Sequence, residues 1–229
     1  MVEINDTRQN DKLKLKMHTS EYSNIFRQES SHFFYKSNHK IVLSLVKKFL
    51  KNKNLIILDA GCGTGLLTKK LGIFGKVTGV DINPQAFKYA KKRGVNVINA
   101  SIENLPFKKN SFDLVVSIDV IYHKNVTKDI DALNEFFRVL KPSGILVLRV
   151  PAIKWLSLSH DRWVATRERY NKGELLGKLK SAGFDIKKAS YVNSILFPVV
   201  AIYKVFEYFF PPHKPRSLIS NLPTFLNVI

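Results

Sequence analysis

Short apolar runs alternate with amphipathic stretches along the middle of the chain. The run at 55–58 has the length and β-branched content of a buried strand, and Leu66, Leu67 and Leu71 follow it at helical spacing. Strands that alternate with helices predict a parallel, doubly wound sheet with helices on both faces. Further strands are predicted at 76–80, 95–100, 112–118 and 145–150, and helices at 40–50, 84–93, 129–140 and 172–182.

A turn spaced by glycines separates the first strand from its helix. The string L-D-A-G-C-G-T-G places Asp59 before Gly61, Gly63 and Gly65. Glycine suits positions where the backbone turns sharply or where a ligand approaches main-chain N–H groups. The second strand ends in Asp81, and an acid there suits the two hydroxyls of a ribose. The spacing G-x-G-x-G differs from the dinucleotide fingerprint G-x-G-x-x-G, although a glycine loop with such an acid serves both NAD and S-adenosylmethionine.

The same string resembles motif I of the class I S-adenosylmethionine-dependent methyltransferases, in particular the type 11-like domains that act on small molecules. The resemblance continues through N-L-P-F at 104–107, the block at 112–123 and L-K-P-S-G at 140–144, and covers residues 41–150 well. It implies an enzyme that uses S-adenosyl-L-methionine and releases S-adenosyl-L-homocysteine. It also implies a Rossmann-like, mostly parallel seven-stranded sheet, with strand six starting at 184–186 and an antiparallel strand seven at 191–197.

The resemblance implies that the cofactor is held at the carboxyl ends of the first four strands. Ser101 stands where the family often has an acid for the adenine amine, and its hydroxyl is a weaker acceptor. Cys62, the only cysteine of the chain, is interpreted as a small packing residue of the loop. The implied cofactor residues are Asp59, Ala60, Gly61, Cys62, Gly63, Gly65, Asp81, Ile82, Ser101, Ile102, Asp119 and Val120.

An insert at 151–171, dense in polar and aromatic residues, follows the fifth strand. Such inserts carry substrate determinants in the family. His160, with Asp161 to orient it, is one candidate base and His123 is another, because an unperturbed imidazole titrates near neutral pH. Two alternatives stay open: the insert is a solvated loop held by Arg–Glu pairs, and His123 caps the next helix. The candidate catalytic residues are His160, His123, Asp161 and Tyr170, and the candidate substrate residues here are Tyr122, Arg167 and Arg169.

Residues 1–39 form an N-terminal extension in which aromatic residues are dense. The segment E-S-S-H-F-F-Y-K at 29–36 resembles one that precedes the fold in methyltransferases of glycan and cell-envelope biosynthesis, although S-N-H at 37–39 departs from the Gly-Arg-Arg usual there. We expect a helical lid over the cofactor cleft, in which His32 and Tyr35 contact the substrate. The alternative is that these aromatic residues only cover the core.

Composition and charge bear on partners more than on fold. The net charge is +19, which indicates a nucleic-acid or anionic-membrane partner, or else a lysine-rich bias spread over the surface. No dense basic tract stands out, so nucleic acid is the less favoured partner. The single cysteine fits a reducing compartment, and residues 1–16 lack the apolar centre of a secretory signal. We therefore expect a cytoplasmic location and no bound metal.

The chain ends in an apolar extension, 194–229, after a methyltransferase domain at 40–193. The stretch 195–210 has few charges, yet no run reaches the roughly 18 apolar residues that a spanning helix needs. The stretch suits a hydrophobic substrate wall, an oligomer face or a helix at a membrane surface. Peripheral contact with a membrane is therefore compatible with the cytoplasmic location, and no function is assigned to 211–229.

These features predict methylation at an oxygen or nitrogen of a small molecule, or of a glycan or lipid-linked cell-envelope intermediate. The alternatives are an RNA methyltransferase acting on tRNA, a quinone-ring methyltransferase and a non-catalytic S-adenosylmethionine-binding protein. Charge favours RNA, but D-V-I-Y at 119–122 stands where a nucleic-acid enzyme would carry N-P-P-[YF]. The intact glycine loop and Asp81 argue against a decayed site.

Overall fold

The computed structural model describes residues 19–50, 54–194, 197–212 and 217. Within these ranges the strands are β1 (Leu55–Ala60), β2 (Gly75–Asp81), β3 (Val97–Asn99), β4 (Phe112–Ile118) and β5 (Leu140–Arg149). The helices are α1 (Thr19–Gln28), α2 (Phe33–Phe49), α3 (Leu66–Leu71), α4 (Pro84–Lys92), α5 (Asp129–Val139), α6 (Ser159–Trp163), α7 (Lys172–Ser181) and α8 (Phe197–Phe209), with a 3-10 turn at Lys154–Leu156.

The five strands form one parallel sheet in the order β3-β2-β1-β4-β5. In the central strand, Ile57 pairs with Val77 of β2 on one side and with Leu114 of β4 on the other. The strand order reverses at β1, because β2 and β3 extend to one side and β4 and β5 to the other. Ligands of such sheets bind outside the carboxyl ends of the strands at this switch point.

Helices cover both faces of the sheet, as predicted for an α/β fold. Successive side chains of a strand point to opposite faces. Ile57 is fully buried in a cluster with Val46 of α2 and Leu71 of α3. Its neighbour Leu58 is fully buried in the opposite cluster, which contains Phe136 of α5. The sheet is therefore a rigid platform whose strand ends are fixed in position.

Local signals at α4 agree with the sequence. The side-chain oxygen of Asn83 accepts a 2.9 Å hydrogen bond from Gln85 N, and Pro84 occupies the first turn, where no N–H is needed. Gly94 follows the helix with a φ of +72°, a conformation that glycine adopts readily. The helix therefore starts where predicted and ends one residue before the predicted position.

Two elements have bounds that differ from the prediction. The helix α2 begins at Phe33 and runs through position 40 without a break, so the predicted end of the N-terminal extension lies inside it. The strand β5 begins at Leu140, and residues 141–144, expected as a turn, form an irregularity in its pairing with β4. Ser143 takes a φ of +65° there. The turn residues thus produce a bulge in the strand instead of a break before it.

The described residues form five of the seven predicted strands. The strand predicted to start at 184–186 is wrong, because Phe184 packs edge-on against Phe137 of α5, with ring centroids 5.2 Å apart, and its segment does not extend along β5. Residues 191–194 form bends and a turn, and Phe197, expected to end strand seven, starts α8. Positions 195 and 196 of that predicted strand lie outside the described residues.

Candidate active site

The glycine loop between β1 and α3 is tied to the end of β2. The carbonyl oxygen of Val80 accepts hydrogen bonds from Gly61 N at 2.7 Å and Cys62 N at 2.9 Å. Gly61 has a φ of +86°, and a Cβ there would lie 2.3 Å from Val120 Cγ2, so only glycine fits. Gly63 has a φ of +52°, but a Cβ there would meet no protein atom within 4 Å. The space above Gly63 is therefore open to a ligand.

Asp81, the last residue of β2, holds the loop from the side. Its carboxylate accepts hydrogen bonds from Gly63 N at 3.0 Å and from Asn83 N at 2.8 Å. Burial raises the pKa of Asp81, and the backbone N–H groups act against that rise. Asp81 and Gly63 line the same cavity, which is described below. The carboxylate and the open space above the loop therefore belong to one volume.

Asp59, near the end of β1, is only 2% exposed. Its carboxylate accepts a 2.6 Å hydrogen bond from Thr68 Oγ1 of α3. Burial raises the pKa of Asp59 to about 7, and the charge of Asp81 adds to the rise. Asp59 lines the cavity, whereas Ala60 and Gly65, also expected at the ligand, do not. Ala60 is fully buried in the strand, and Gly65 packs against α4.

The segments after β2 and β3 form the next part of the wall, where Ile82, Ser101 and Ile102 all line the cavity. Ser101 Oγ accepts a 3.1 Å hydrogen bond from Glu103 N, which uses part of the accepting capacity of the hydroxyl. Ile82 is half exposed and offers apolar surface to a ligand. The thiol of Cys62 is buried, and burial raises its pKa, which agrees with a packing role.

An ion pair joins the tip of β4 to the tip of β5. Asp119, at a φ of +58°, donates its N–H to the Arg149 carbonyl oxygen at 3.0 Å. Its carboxylate accepts from Arg149 Nε at 3.2 Å and from Nη2. The guanidinium carbon lies 5.4 Å from the ring centroid of Phe34, within cation–π range. Asp119, Val120 and Arg149 all line the cavity.

The lid, residues 19–39, is docked on the glycine loop and on α4. Glu29 is buried; it accepts a hydrogen bond from Thr64 Oγ1 of the loop and pairs with Arg93 Nη2 at 2.6 Å. Phe26 stacks on Tyr89 of α4 with ring centroids 4.7 Å apart. The segment is therefore helical and packs on the glycine loop and on α4; its role as a lid over the cofactor stays a prediction.

The lid presents aromatic side chains to the cavity. Tyr22 and Tyr35 both line it, and burial raises the pKa of each phenol, so both remain O–H groups at neutral pH. His32, expected to contact the substrate, does not line the cavity. Instead it caps α2: its Nδ1 accepts from Phe34 N at 3.2 Å, and burial lowers its pKa.

The insert, residues 151–171, is joined to the lid and has internal ion pairs. Trp163 Nε1 donates to Glu21 Oε2 at 2.8 Å. The two carboxylate oxygens of Asp161 accept from Arg169 Nε at 2.8 Å and Nη2 at 2.9 Å. Asp161 Oδ2 also accepts from Leu158 N at 3.0 Å, and the expected role of Asp161 in orienting His160 stays a prediction. The carboxylate therefore fixes the arginine on the cavity wall.

Tyr170 and Arg167 anchor the insert to the rest of the domain. Tyr170 is 1% exposed and donates a 2.7 Å hydrogen bond to Asp129 Oδ2 of α5. Arg167 donates to the carbonyl oxygens of Val126 and Thr127 and pairs with Glu168. Tyr170 touches the cavity and Arg167 does not. The expected Arg–Glu pair exists, but it belongs to a packed segment and not to a solvated loop.

One cavity of about 1440 Å³ connects these walls. It extends from Asp81 and Gly63, under the lid, to Tyr122 near the tip of β4 and to His160 and Arg169 of the insert. Ligand pockets commonly measure about 300–1,000 Å³, so there is room for a nucleoside ligand and a second molecule. Within the described ranges, no group of three or more His, Cys, Asp or Glu side chains is placed to hold a metal ion.

Comparison with known proteins identifies the family. A family model described as a methyltransferase domain matches residues 58–148. The uncharacterized protein MJ0638 of Methanocaldococcus jannaschii is 33% identical, over 76% of this chain and 77% of that protein. The uncharacterized methyltransferase YodH of Bacillus subtilis is 38% identical, over 48% of this chain and 49% of that protein. A crystal structure of a Thermotoga maritima S-adenosylmethionine-dependent methyltransferase, described as a possible histamine N-methyltransferase, has a TM-score of 0.59 and 27% identity, and covers 73% of this chain and 77% of that one.

The chain is a class I S-adenosylmethionine-dependent methyltransferase. Its methyl donor is S-adenosylmethionine, and the residues at the switch point fit that cofactor. A carboxylate has about four acceptor positions, and backbone N–H groups use two positions of Asp81. The remaining positions suit the hydroxyls of a ribose. The volume that a Cβ at Gly63 would enter is empty of protein, as close approach of a ligand to the loop requires.

His123 and His160, the two candidate bases of the methyltransferase, both line the cavity. His123 stacks on Tyr122 with ring centroids 4.6 Å apart, and burial lowers its pKa although hydrogen bonds to the backbone of Ala165 and Val164 act against this. His123 is thus a neutral imidazole built into the wall. His160, the second residue of α6, is half buried.

Sequence reasoning missed several residues of this methyltransferase site. Arg149 lies at the carboxyl end of β5, and the rule that ligands bind at strand ends could have identified it. Its Nη1 and the Oγ1 of Thr166 are buried atoms on the cavity wall for which the described chain provides no hydrogen-bond partner. No sequence signal marks the contact of Glu21 with Trp163, because the two residues are 142 positions apart.

Proposed function

We propose that this methyltransferase acts on an oxygen or nitrogen of a small molecule, or of a glycan or lipid-linked intermediate of the cell envelope. The observation that carries the proposal is the second half of the cavity, between the lid and the insert. Tyr35 and Tyr122 give it aromatic walls, and His160 and Arg169 give it polar groups. Largely apolar pockets with a few polar groups are typical of small-molecule sites. A quinone is also a small molecule, but its ring would be methylated at carbon.

On the donor side, the chain's task is alignment. S-adenosylmethionine supplies a methyl group that the positive charge of its sulfur has already activated. Well-oriented groups reach effective molarities of about 10⁵–10⁸ M, so holding the two reactants in line gives much of the rate. We assign the ribose to Asp81, the adenine to Ile82, Ser101 and Ile102, and the boundary between donor and acceptor to Asp119 and Val120.

On the acceptor side, we assign proton removal to His160. A hydroxyl acceptor must lose its proton as the new bond to carbon forms, and a half-buried imidazole at the wall can take it. His123 is the second candidate, because the lowered pKa keeps its ring unprotonated at neutral pH. We assign Asp161 and Tyr170 to positioning the insert, since Asp161 binds Arg169 and Tyr170 binds Asp129.

Two buried polar atoms support an oxygen-bearing acceptor. Arg149 Nη1 carries N–H groups and Thr166 Oγ1 carries a hydroxyl, and a buried polar group without a partner is costly. An acceptor with a carbonyl, hydroxyl or carboxylate group would satisfy both. We therefore assign Arg149 and Thr166, together with Tyr35 and Arg169, to substrate binding.

Calorimetric titration with S-adenosylmethionine tests the donor side. Asp81→Asn should weaken binding by at least about a hundredfold, because hydrogen bonds to a charged group contribute about 1.5–3 kcal/mol each. Asp131→Asn makes the same change at an exposed position of α5 and should bind like the wild type. Equal affinity of the Asp81→Asn protein and the wild type would remove Asp81 from the site.

Turnover with labelled donor tests the acceptor side. Lipid, cell-envelope and tRNA fractions are offered separately, and label is expected in the first two. His160→Ala should lower kcat and leave the donor Kd unchanged. If His123 is the base instead, His123→Ala should lower kcat and His160→Ala should not. Label that enters tRNA alone would contradict the proposal.

Charge is the observation that favours RNA as a second candidate. The net charge of +19 would draw the protein to any polyanion. An RNA enzyme should methylate purified tRNA, with an affinity that falls steeply as salt rises. Binding without methylation, at any salt concentration, would assign the charge to non-specific attraction.

We place the reaction in the cytoplasm, or at its membrane surface when the acceptor is lipid-linked. Support comes from the lone cysteine, which fits a reducing compartment. Cell fractionation with tagged protein is the direct check. Recovery outside the cytoplasm and its membranes would contradict this location.

A further inference from the structure

The helix α8 is packed with its charged side toward the protein. Glu207 is buried and accepts hydrogen bonds from Ser159 N at 3.0 Å and from Ser159 Oγ at 2.5 Å. Lys204 Nζ donates to the carbonyl oxygen of Ser157. The sequence of α8, F-P-V-V-A-I-Y-K-V-F-E-Y-F, contains no other charged residue. Both of its charges are therefore directed at the insert.

The opposite side of α8 is apolar and exposed. Helices of globular proteins normally bury such a side and expose their charges. Trp155, in the 3-10 turn of the insert, extends the surface: it is 54% exposed, and its ring lies 6.3 Å from that of Phe197. We call the surface the docking face; its exposed members are Trp155, Phe197, Val199, Ile202, Val205, Phe206, Tyr208, Phe209 and the adjoining Phe210. A continuous apolar surface of this kind marks contact with a membrane or another protein.

The charge of this end of the chain favours an anionic membrane. After Asp185 the sequence contains a single acid, the buried Glu207. The same stretch contains five cations: Lys187, Lys188, Lys204, Lys214 and Arg216. An apolar helix in a stretch of sequence with an excess of lysine and arginine is typical of helices that lie in the interface of an anionic bilayer. A second copy of the chain would instead bring like charges together.

The length of α8 favours lying on the bilayer over crossing it. Its 13 residues span about 20 Å at 1.5 Å per residue, less than a hydrocarbon core of about 30 Å. Among the helices of the described ranges, none is long and apolar enough to cross a membrane. Tryptophan and tyrosine, both present on the docking face, favour the headgroup level.

We propose that the docking face lies in the headgroup region of an anionic bilayer and holds the insert against the membrane. The bonds from Glu207 and Lys204 end at 157–159, next to His160 on the cavity wall. Docking thus brings the acceptor half of the cavity beside the lipid. The inference deepens the proposed function by giving a lipid source for the acceptor. The lipid source rests on the proposed function. Membrane docking itself does not, because vesicle binding requires no methyl transfer.

Co-sedimentation of the full chain with vesicles tests the proposal. Vesicles of phosphatidylcholine with phosphatidylglycerol are compared with vesicles of phosphatidylcholine alone. The wild type should bind the anionic vesicles, and Ile202→Glu and Phe206→Glu, made singly, should each lower the partition coefficient by at least about tenfold. Ile73→Glu is the matched control, because Ile73 is 75% exposed, close to the 70% of Ile202, but lies in the turn before β2.

Fluorescence and donor binding separate docking from misfolding. The tryptophan emission should shift to shorter wavelength on anionic vesicles, and Trp155→Phe should remove that shift. All variants should bind S-adenosylmethionine like the wild type, because the hydrogen bonds of α8 described above go to the insert and not to the glycine loop. Donor binding with no vesicle binding by the wild type would overturn the docking proposal and leave the methyltransferase assignment intact.

Two further results would also overturn it. Ile202→Glu and Phe206→Glu proteins that sediment with vesicles as the wild type does would show that the docking face is not used. A wild-type dimer in light scattering that Ile202→Glu converts to a monomer, without any vesicle binding, would assign the face to a second copy of the chain.

Discussion

The two halves of the cavity hold their acids in different ways. In the donor half, Asp59 and Asp81 are bound by a hydroxyl and by backbone N–H groups, and burial raises the pKa of both. In the acceptor half, Asp119 and Asp161 each bind an arginine through both oxygens. A carboxylate bound only by N–H groups keeps capacity for a ligand's hydroxyls. A carboxylate bound to an arginine instead fixes the shape of a wall. We therefore expect the donor half to bind a ligand through Asp81, and the ion pairs of the acceptor half to hold their arginines in place beside the substrate.

The largest effect should come from an arginine deprived of its acid. Asp161→Asn leaves Arg169 largely buried without a counter-charge, and breaking such a pair costs about 3–5 kcal/mol. Urea unfolding should show this loss. Adding Arg169→Met should recover much of it, because no unpaired charge remains. A loss below about 1 kcal/mol would mean that the pair is as weak as a surface ion pair.

An Asp→Asn substitution in the donor half should instead stabilise the protein. The folded pKa of Asp59, about 7, lies above the unfolded value. The folded state therefore binds a proton more tightly, and stability falls as pH rises from about 4 to about 7. Asp59→Asn has no charge to bury and should be more stable than the wild type above pH 7, by about 4 kcal/mol. Thermal unfolding across this pH range, with Asp131→Asn as control, should show a flatter profile for the Asp59→Asn protein; parallel profiles would contradict the raised pKa.

Two glycines of the loop should separate folding from donor binding. Gly61→Ala brings a methyl group against Val120 and should cost about 2–3 kcal/mol of stability. Gly63→Ala projects into empty space and should cost about 1 kcal/mol, from its positive φ alone. Donor titration should show the larger loss of affinity for Gly63→Ala. Equal stability losses would mean that the space above Gly63 is filled by protein.

A change at the lid should cost less stability than Gly61→Ala. Glu29→Gln removes the charge that neutralises Arg93, and we expect a loss of about 2 kcal/mol in urea unfolding. The comparison is Glu174→Gln, which breaks the exposed pair with Lys154 and should produce no measurable change. Equal losses of stability in the two variants would mean that the Glu29–Arg93 pair contributes no more than an exposed ion pair.

The same contrast explains what the sequence could predict. The donor half comes from one contiguous stretch, 55–81, in which strand, glycine turn and acid follow one another, so local rules suffice. The start of α4 was equally readable, because Asn83 and Pro84 act on their own helix. The pair of Glu21 with Trp163 joins residues 142 positions apart, and no local rule finds it. The strand expected to start at 184–186 failed for the same reason, since the packing of Phe184 on α5 decides its course.

Glu21 accepts hydrogen bonds from Trp163 and also from Ser217, so the first described helix is secured by some of the last described residues. Ribosomes deliver a chain from its amino end, and early segments fold while later ones are still being made. The platform ending at Arg149 emerges well before residue 217. A nascent chain can thus form the sheet early, whereas the contact of the lid with Ser217 forms only after residue 217 has emerged.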